Sequence, residues 1–130
     1  MKKTLLSLFV LLMLPGLALA QSDMAADQEA IRAAVLDYVE AIYNVEPDRI
    51  KRSVHPNLAK YGYWMPRDGN DYQGSAMTFD QLVDLAGKWN QSGRVNADEA
   101  PKEIEIYDVM DKTAVAKLSA QWGVDHMQLA

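Results

Sequence analysis

Ile31, Ala34, Val35, Tyr38, Val39 and Ile42 follow one another at the spacings i, i+3, i+4, i+7, i+8 and i+11. At 3.6 residues per turn these side chains form a single apolar stripe over about three turns, with Asp37 and Glu40 on the opposite face. A stripe of this kind must be buried against a second layer, so the rest of the chain has to supply a cover. The helical pattern opens at Asp27, after a short polar leader from Gln21 to Ala26. Asp27 and Glu29 then suit the positive end of the helix dipole.

The cover is read from the segments that follow. Asn44-Val45-Glu46-Pro47 ends the first helix, and Pro47 fits the first position of another. Ile50, Val54 and Leu58 recur every four residues, but His55 precedes Pro56 and is pushed away from the α region. The second helix is therefore expected to stop near Val54. Tyr61-Gly62-Tyr63-Trp64-Met65 reads as one short strand, and Arg67-Asp68-Gly69-Asn70 as a turn. Thr78-Phe79-Asp80-Gln81 has the spacing of a capping box and opens a third helix. Its apolar side carries Phe79, Leu82, Val83, Ala86 and Trp89, and Gln91-Ser92-Gly93 stops it.

The last section is β-like. Glu103 to Tyr107 alternates with period two, and Val109 to Lys112 makes a tight connection. Thr113 to Leu129 then reads as one long strand, with Ala114, Ala116, Leu118, Ala120 and Trp122 on one face. The small residues leave space there, and the Trp122 ring closes one end of it.

Two boundaries follow from composition. Lys2 and Lys3, an apolar run from Leu5 to Leu14, a Pro15-Gly16 break and Ala18-Leu19-Ala20 have the layout of a secretory signal peptide cut after Ala20. The apolar run, about ten residues, is too short to span ~30 Å of hydrocarbon as a helix. The expected product is periplasmic or secreted, with one domain over residues 27–130 of a 130-residue chain. Losing Lys2 and Lys3 takes the formal charge from −5 to −7. An acidic domain without a basic cluster argues against nucleic acid, whose phosphates need Lys and Arg, and against docking on anionic lipid. With no cysteine, an exported domain must be held by its core alone.

The order helix, helix, His-Pro, aromatic strand, capped helix, hairpin, together with SVHPNLAKYGY and IYDVMDKTAVAKLSAQW, resembles the nuclear transport factor 2-like superfamily. Within it the chain looks most like the exported bacterial branch labelled putative lumazine-binding. The resemblance runs from about Asp27 to Leu129. It implies a cystatin-like α+β cone, in which a curved antiparallel sheet wraps the N-terminal helix around an apolar cavity. Relatives use that cavity for isomerisation, dehydration, cyclisation or plain binding, so chemistry must be argued from site residues. Members usually continue past the Trp-containing strand with a Gly-Lys-Trp turn and a final apolar strand. Here the chain stops at Ala130, so that strand is expected to be missing, as in a C-terminally truncated product, leaving an unpaired edge.

The candidate catalytic residues are His55 and His126, either of which could act as a base in a lyase or isomerase with a tyrosine as proton donor. Against this, a turn histidine such as His55 has many local backbone partners. Asp125 and His126 are adjacent, so on a regular strand they point to opposite faces. His126 then shares the Trp122 face and Asp125 does not, unless Gly123 introduces a bulge. Two separated histidines and no cysteine give no zinc-like set, and no cofactor motif is present. Tyr38, Tyr61, Tyr63, Trp64, Trp89 and Trp122 are many rings for one small domain. Tyr38, Tyr61, Trp64, Trp89 and Trp122 are the candidate ligand-binding set, for a small apolar or aromatic ligand. Core filling competes for each ring. The leading expectation is a ligand-binding module without metal or cofactor. The alternatives are the histidine-based enzyme and a module that forms a homodimer through the sheet.

Overall fold

The computed structural model describes residues 16–130, with side chains from residue 23 onward. The basic start and the whole apolar run of the expected signal peptide lie outside the described residues. The elements are α1 (Gly16–Asn44), α2 (Pro47–Ser53), β1 (Lys60–Trp64), β2 (Gln73–Met77), α3 (Phe79–Ala86), β3 (Lys102–Val109), β4 (Ala114–Ala120) and β5 (Gly123–Leu129). The class is α+β, with helices packed on antiparallel sheets, as the sequence implies.

The stripe of α1 is the centre of the core. Val35, Val39 and Ile42 are buried with Ile50 of α2, Leu82 of α3 and Leu118 of β4. Each such aliphatic side chain contributes about 1.5–3 kcal/mol by leaving water. Ile31 packs in a smaller cluster with Ala114 and Ala116. The helix itself begins earlier than Asp27. Residues 23–30 belong to it while exposed, because an alanine-rich stretch with no breaker prolongs a helix without needing a partner. Asp27 and Glu29 are consequently interior to α1, and the dipole argument for them does not apply.

α1 ends on Val45, which has φ of 60°, while the amide of Glu46 donates to the carbonyl of Ala41 at 2.9 Å. This is a Schellman-type stop built with a β-branched residue where glycine is usual. α2 ends at Ser53, one residue before the expected stop, and Val54 is extended. The capping box of α3 is present in both directions: the Gln81 amide donates to Thr78 Oγ1, and the Thr78 amide to Gln81 Oε1. α3 is shorter than its apolar pattern. It stops at Ala86, and Trp89 stands in the turn that follows.

Two strand assignments need correction. β1 pairs with an additional strand, β2, in register from Lys60↔Met77 to Trp64↔Gln73. β2 is Gln-Gly-Ser-Ala-Met, nearly all exposed, so it carries no alternation to read. Second, residues 113–129 are not one long strand. β4 and β5 are an antiparallel hairpin, paired from Ala114↔Leu129 to Ala120↔Gly123, and the chain reverses at Gln121-Trp122. Gly123, with φ of 130°, takes the backbone angle that an ordinary residue resists at the start of β5. The C-terminal segment therefore supplies a strand beyond Trp122 that the linear pattern does not separate. β3, β4 and β5 form one sheet in that order, and among the described residues the outer edge of β5 has no strand partner.

Candidate functional site

The hairpin changes which residues face inward. On β5, Asp125 lies opposite Leu118, whose side chain is fully buried, and His126 lies opposite Lys117. Asp125 and His126 do point to opposite faces, but in the reverse sense to the expectation. Trp122 belongs to the turn and not to the strand, so alternation along the strand cannot be counted from it. His126 is exposed on the outer face.

Asp125 is the hub of a polar cluster that joins three elements. Its Oδ2 accepts from Tyr38 Oη on α1 at 3.0 Å and from Trp122 Nε1 at 3.0 Å. Its Oδ1 faces Lys60 Nζ of β1 at 3.0 Å, and Lys60 also donates to Tyr38 Oη at 2.6 Å. The Lys60 and Asp125 side chains are 22% and 17% exposed. Burial, and then the neighbouring Asp125 carboxylate, push the Tyr38 phenol well above its ordinary 10.0, so it stays a neutral donor. Every atom of the cluster has a partner, which suits it to hold rings in place rather than to exchange protons.

Trp122, which the cluster holds, is one wall of a groove of about 730 Å³. Trp64 at the end of β1, Trp89 after α3 and Trp122 in the β4–β5 turn all face it, and these are the three tryptophans of the chain. Trp89 and Trp122 meet edge to face with centroids 5.5 Å apart, and Tyr43 of α1 lies 6.0 Å from Trp89 and 5.4 Å from Trp122. Tyr38 approaches Trp122 edge-on at 6.2 Å.

Two fully satisfied polar residues fix the walls. Tyr43 Oη donates to the carbonyl of Pro101 at 2.8 Å and accepts the amide of Gln121 at 2.7 Å, which anchors the β4–β5 turn on α1. Buried Asn90 donates to the carbonyls of Tyr43 and Val95, both at 2.8 Å, and accepts the Val95 amide at 3.0 Å. That clamp sets the loop carrying Trp89, Arg94 and Val95. The Arg94 guanidinium stands over the Trp89 ring, 5.0 Å from its centroid.

Of the expected ligand-binding set, Trp64, Trp89 and Trp122 line the groove, and Tyr38 lies beneath it. Tyr61 does not join them. It projects from the other side of β1, 59% exposed, with its ring 5.1 Å from that of Tyr63. His55 is exposed in the turn after α2, where its Nδ1 accepts the Asn57 amide at 3.1 Å. Neither imidazole lines the groove. The sequence reading leaves out Tyr43, Lys60, Arg67, Asn90 and Arg94. Of these, Lys60 alone carries a signal, a charged residue opening an aromatic strand.

A second depression, about 600 Å³, lies at the α1–α2 junction. Its arginines are already spent: Arg49 meets Asp37, Glu40 and Glu46, and Arg52 meets Asp37. Among the described residues no helix is long and apolar enough to cross a membrane, and no cluster of three metal-ligating side chains occurs.

The family model described as putative lumazine-binding matches residues 26–130. No curated protein and no solved structure matches the chain.

Proposed function

The chain belongs to the putative lumazine-binding family, and on that premise we propose that it is an exported domain that binds a flat aromatic ligand between its tryptophans. One observation carries the reading. Trp64, Trp89 and Trp122 come from three separate segments, and all the tryptophan of the chain converges on one groove. Core filling accounts poorly for Trp64, which is 47% exposed at the rim. A groove of this size with aromatic walls and a few polar groups suits a small planar molecule. The histidine-based lyase or isomerase has less support, because His55 is engaged in its turn and His126 faces outward.

Tryptophan fluorescence, excited selectively at the red edge of the absorption band, tests the proposal directly, since every tryptophan lines the groove. Lumazine is expected to quench the emission saturably. Trp64→Ala should weaken binding about tenfold, in keeping with roughly 1–3 kcal/mol for a ring stacked on an aromatic side chain. An unsaturable response, or a W64A variant that binds as tightly as the parent, would sink the reading. Export is tested by N-terminal sequencing of protein recovered from the periplasm, which should begin at Gln21. A second reading, self-association through the sheet, is supported by the open edge of β5. Sedimentation showing a monomer at all concentrations would dismiss it.

A further inference from the structure

We infer that the ligand of this groove is an anion: a planar aromatic ring bearing a carboxylate, the ring lying against the tryptophans and the carboxylate held by Arg67 and Arg94. The inference rests on the ring-binding reading above and specifies its chemistry.

The distribution of charge leads to it. Among the described residues, every lysine is paired with a carboxylate. Arg49 and Arg52 are paired likewise, and Arg32 donates to the carbonyl of Ile104 at 3.3 Å. That leaves Arg67 and Arg94, for which no carboxylate or hydrogen-bond partner occurs among the described residues, and both border the same groove. In a chain of net charge −5, acidic side chains are abundant enough to have satisfied them. Yet among the described residues no Asp or Glu lines the groove. The nearest carboxylate of the cluster beneath it, Asp125, is already neutralised by Lys60.

The two arginines are also placed for the task. The Arg94 guanidinium stands over the Trp89 ring, a cation–π contact that orders it without using its N–H groups, which stay free to donate. Arg67 stands in the turn closed by the Gly69 amide donating to the Pro66 carbonyl at 3.2 Å, just beyond Trp64. Guanidinium groups match a carboxylate geometrically and donate charge-assisted bonds to it. The walls thus select for a flat ring, and the rim selects for its negative charge.

Calorimetric titration of the full domain with lumazine-6-carboxylate and with the neutral lumazine-6-carboxamide tests the inference. The acid is expected to bind about tenfold tighter, and that ratio should shrink towards one in Arg67→Gln and in Arg94→Gln. Raising the salt concentration on the unsubstituted protein should also weaken the acid and not the amide, a readout that needs no variant. Equal affinity for both compounds, with no salt dependence, overturns the anion preference and leaves the ring-binding reading standing. Failure of both to bind overturns that reading and this inference with it.

Discussion

Replacing Asp125 with alanine should be among the most damaging single changes to this fold outside its apolar core. The substitution strands three donors at once: Tyr38 Oη, Trp122 Nε1 and the Lys60 ammonium. A buried group left without its partner costs about 1–3 kcal/mol, and breaking a buried ion pair roughly 3–5 kcal/mol. Both side chains of the pair are about one-fifth exposed, so water recovers part of that loss. The expected cost is roughly 2–4 kcal/mol. Lys60→Met should cost a comparable amount, because it leaves the carboxylate charged with only neutral donors. The double variant should cost clearly less than the sum, since neither charge is then orphaned. Urea unfolding of the four proteins at constant slope reads these differences as shifts in midpoint. If Asp125→Ala costs under about 0.5 kcal/mol, or if the two single effects simply add, the cluster does not tie α1, β1 and β5 together as argued.

Three further outcomes follow from local geometry. Burial raises the phenols of Tyr38, helped by Asp125, and of Tyr43, where the Gln121 amide opposes it. In an alkaline absorbance titration these two should ionise above the ordinary value of 10.0. The stability they hold is complete below pH 10.0 and should fall as pH rises beyond it, where the unfolded chain releases protons that the fold retains. At the acid end, Arg52 lowers Asp37, while for Glu40 the upward push of burial is outweighed by Lys102 and Arg49. Their contribution is present above the ordinary values of 3.8 and 4.5 and should be lost as pH falls below them, measured as a falling urea midpoint. Val45→Gly should stabilise the protein by about 0.5–1 kcal/mol, because it relieves a β-branched residue at φ of 60°; a loss on thermal melting would contradict the assigned helix stop.

The helices were legible because each rests on a short-range rule. The α1 stripe, the Pro47 start of α2, the His55-Pro56 break and the Thr78–Gln81 box are all written within a few residues of where they act. The hairpin at Gln121-Trp122 was not legible, since its two turn residues lack the Asn-Gly or Asp-Gly signal and the one special angle falls on Gly123. Side-chain alternation counted through the reversal puts Asp125 on the wrong face, whereas the hairpin sets it opposite buried Leu118. β2 was hidden by a polar, small-residue sequence. The groove was half visible: its tryptophans stand out by type. Arg67, Arg94, Asn90 and Tyr43 acquire their roles only when distant segments meet, as Tyr43 does with Pro101 and Gln121.

Ligand binding between the tryptophans is read most directly from the indole N–H resonances in a proton–nitrogen correlation spectrum during titration with lumazine. The chain has three tryptophans and all three line the groove. The indole signals of Trp64, Trp89 and Trp122 should therefore move together on one saturable curve, while the amide of outward-facing His126 stays in place. Indole signals that remain still while outer-face amides move would place the ligand elsewhere and contradict the account.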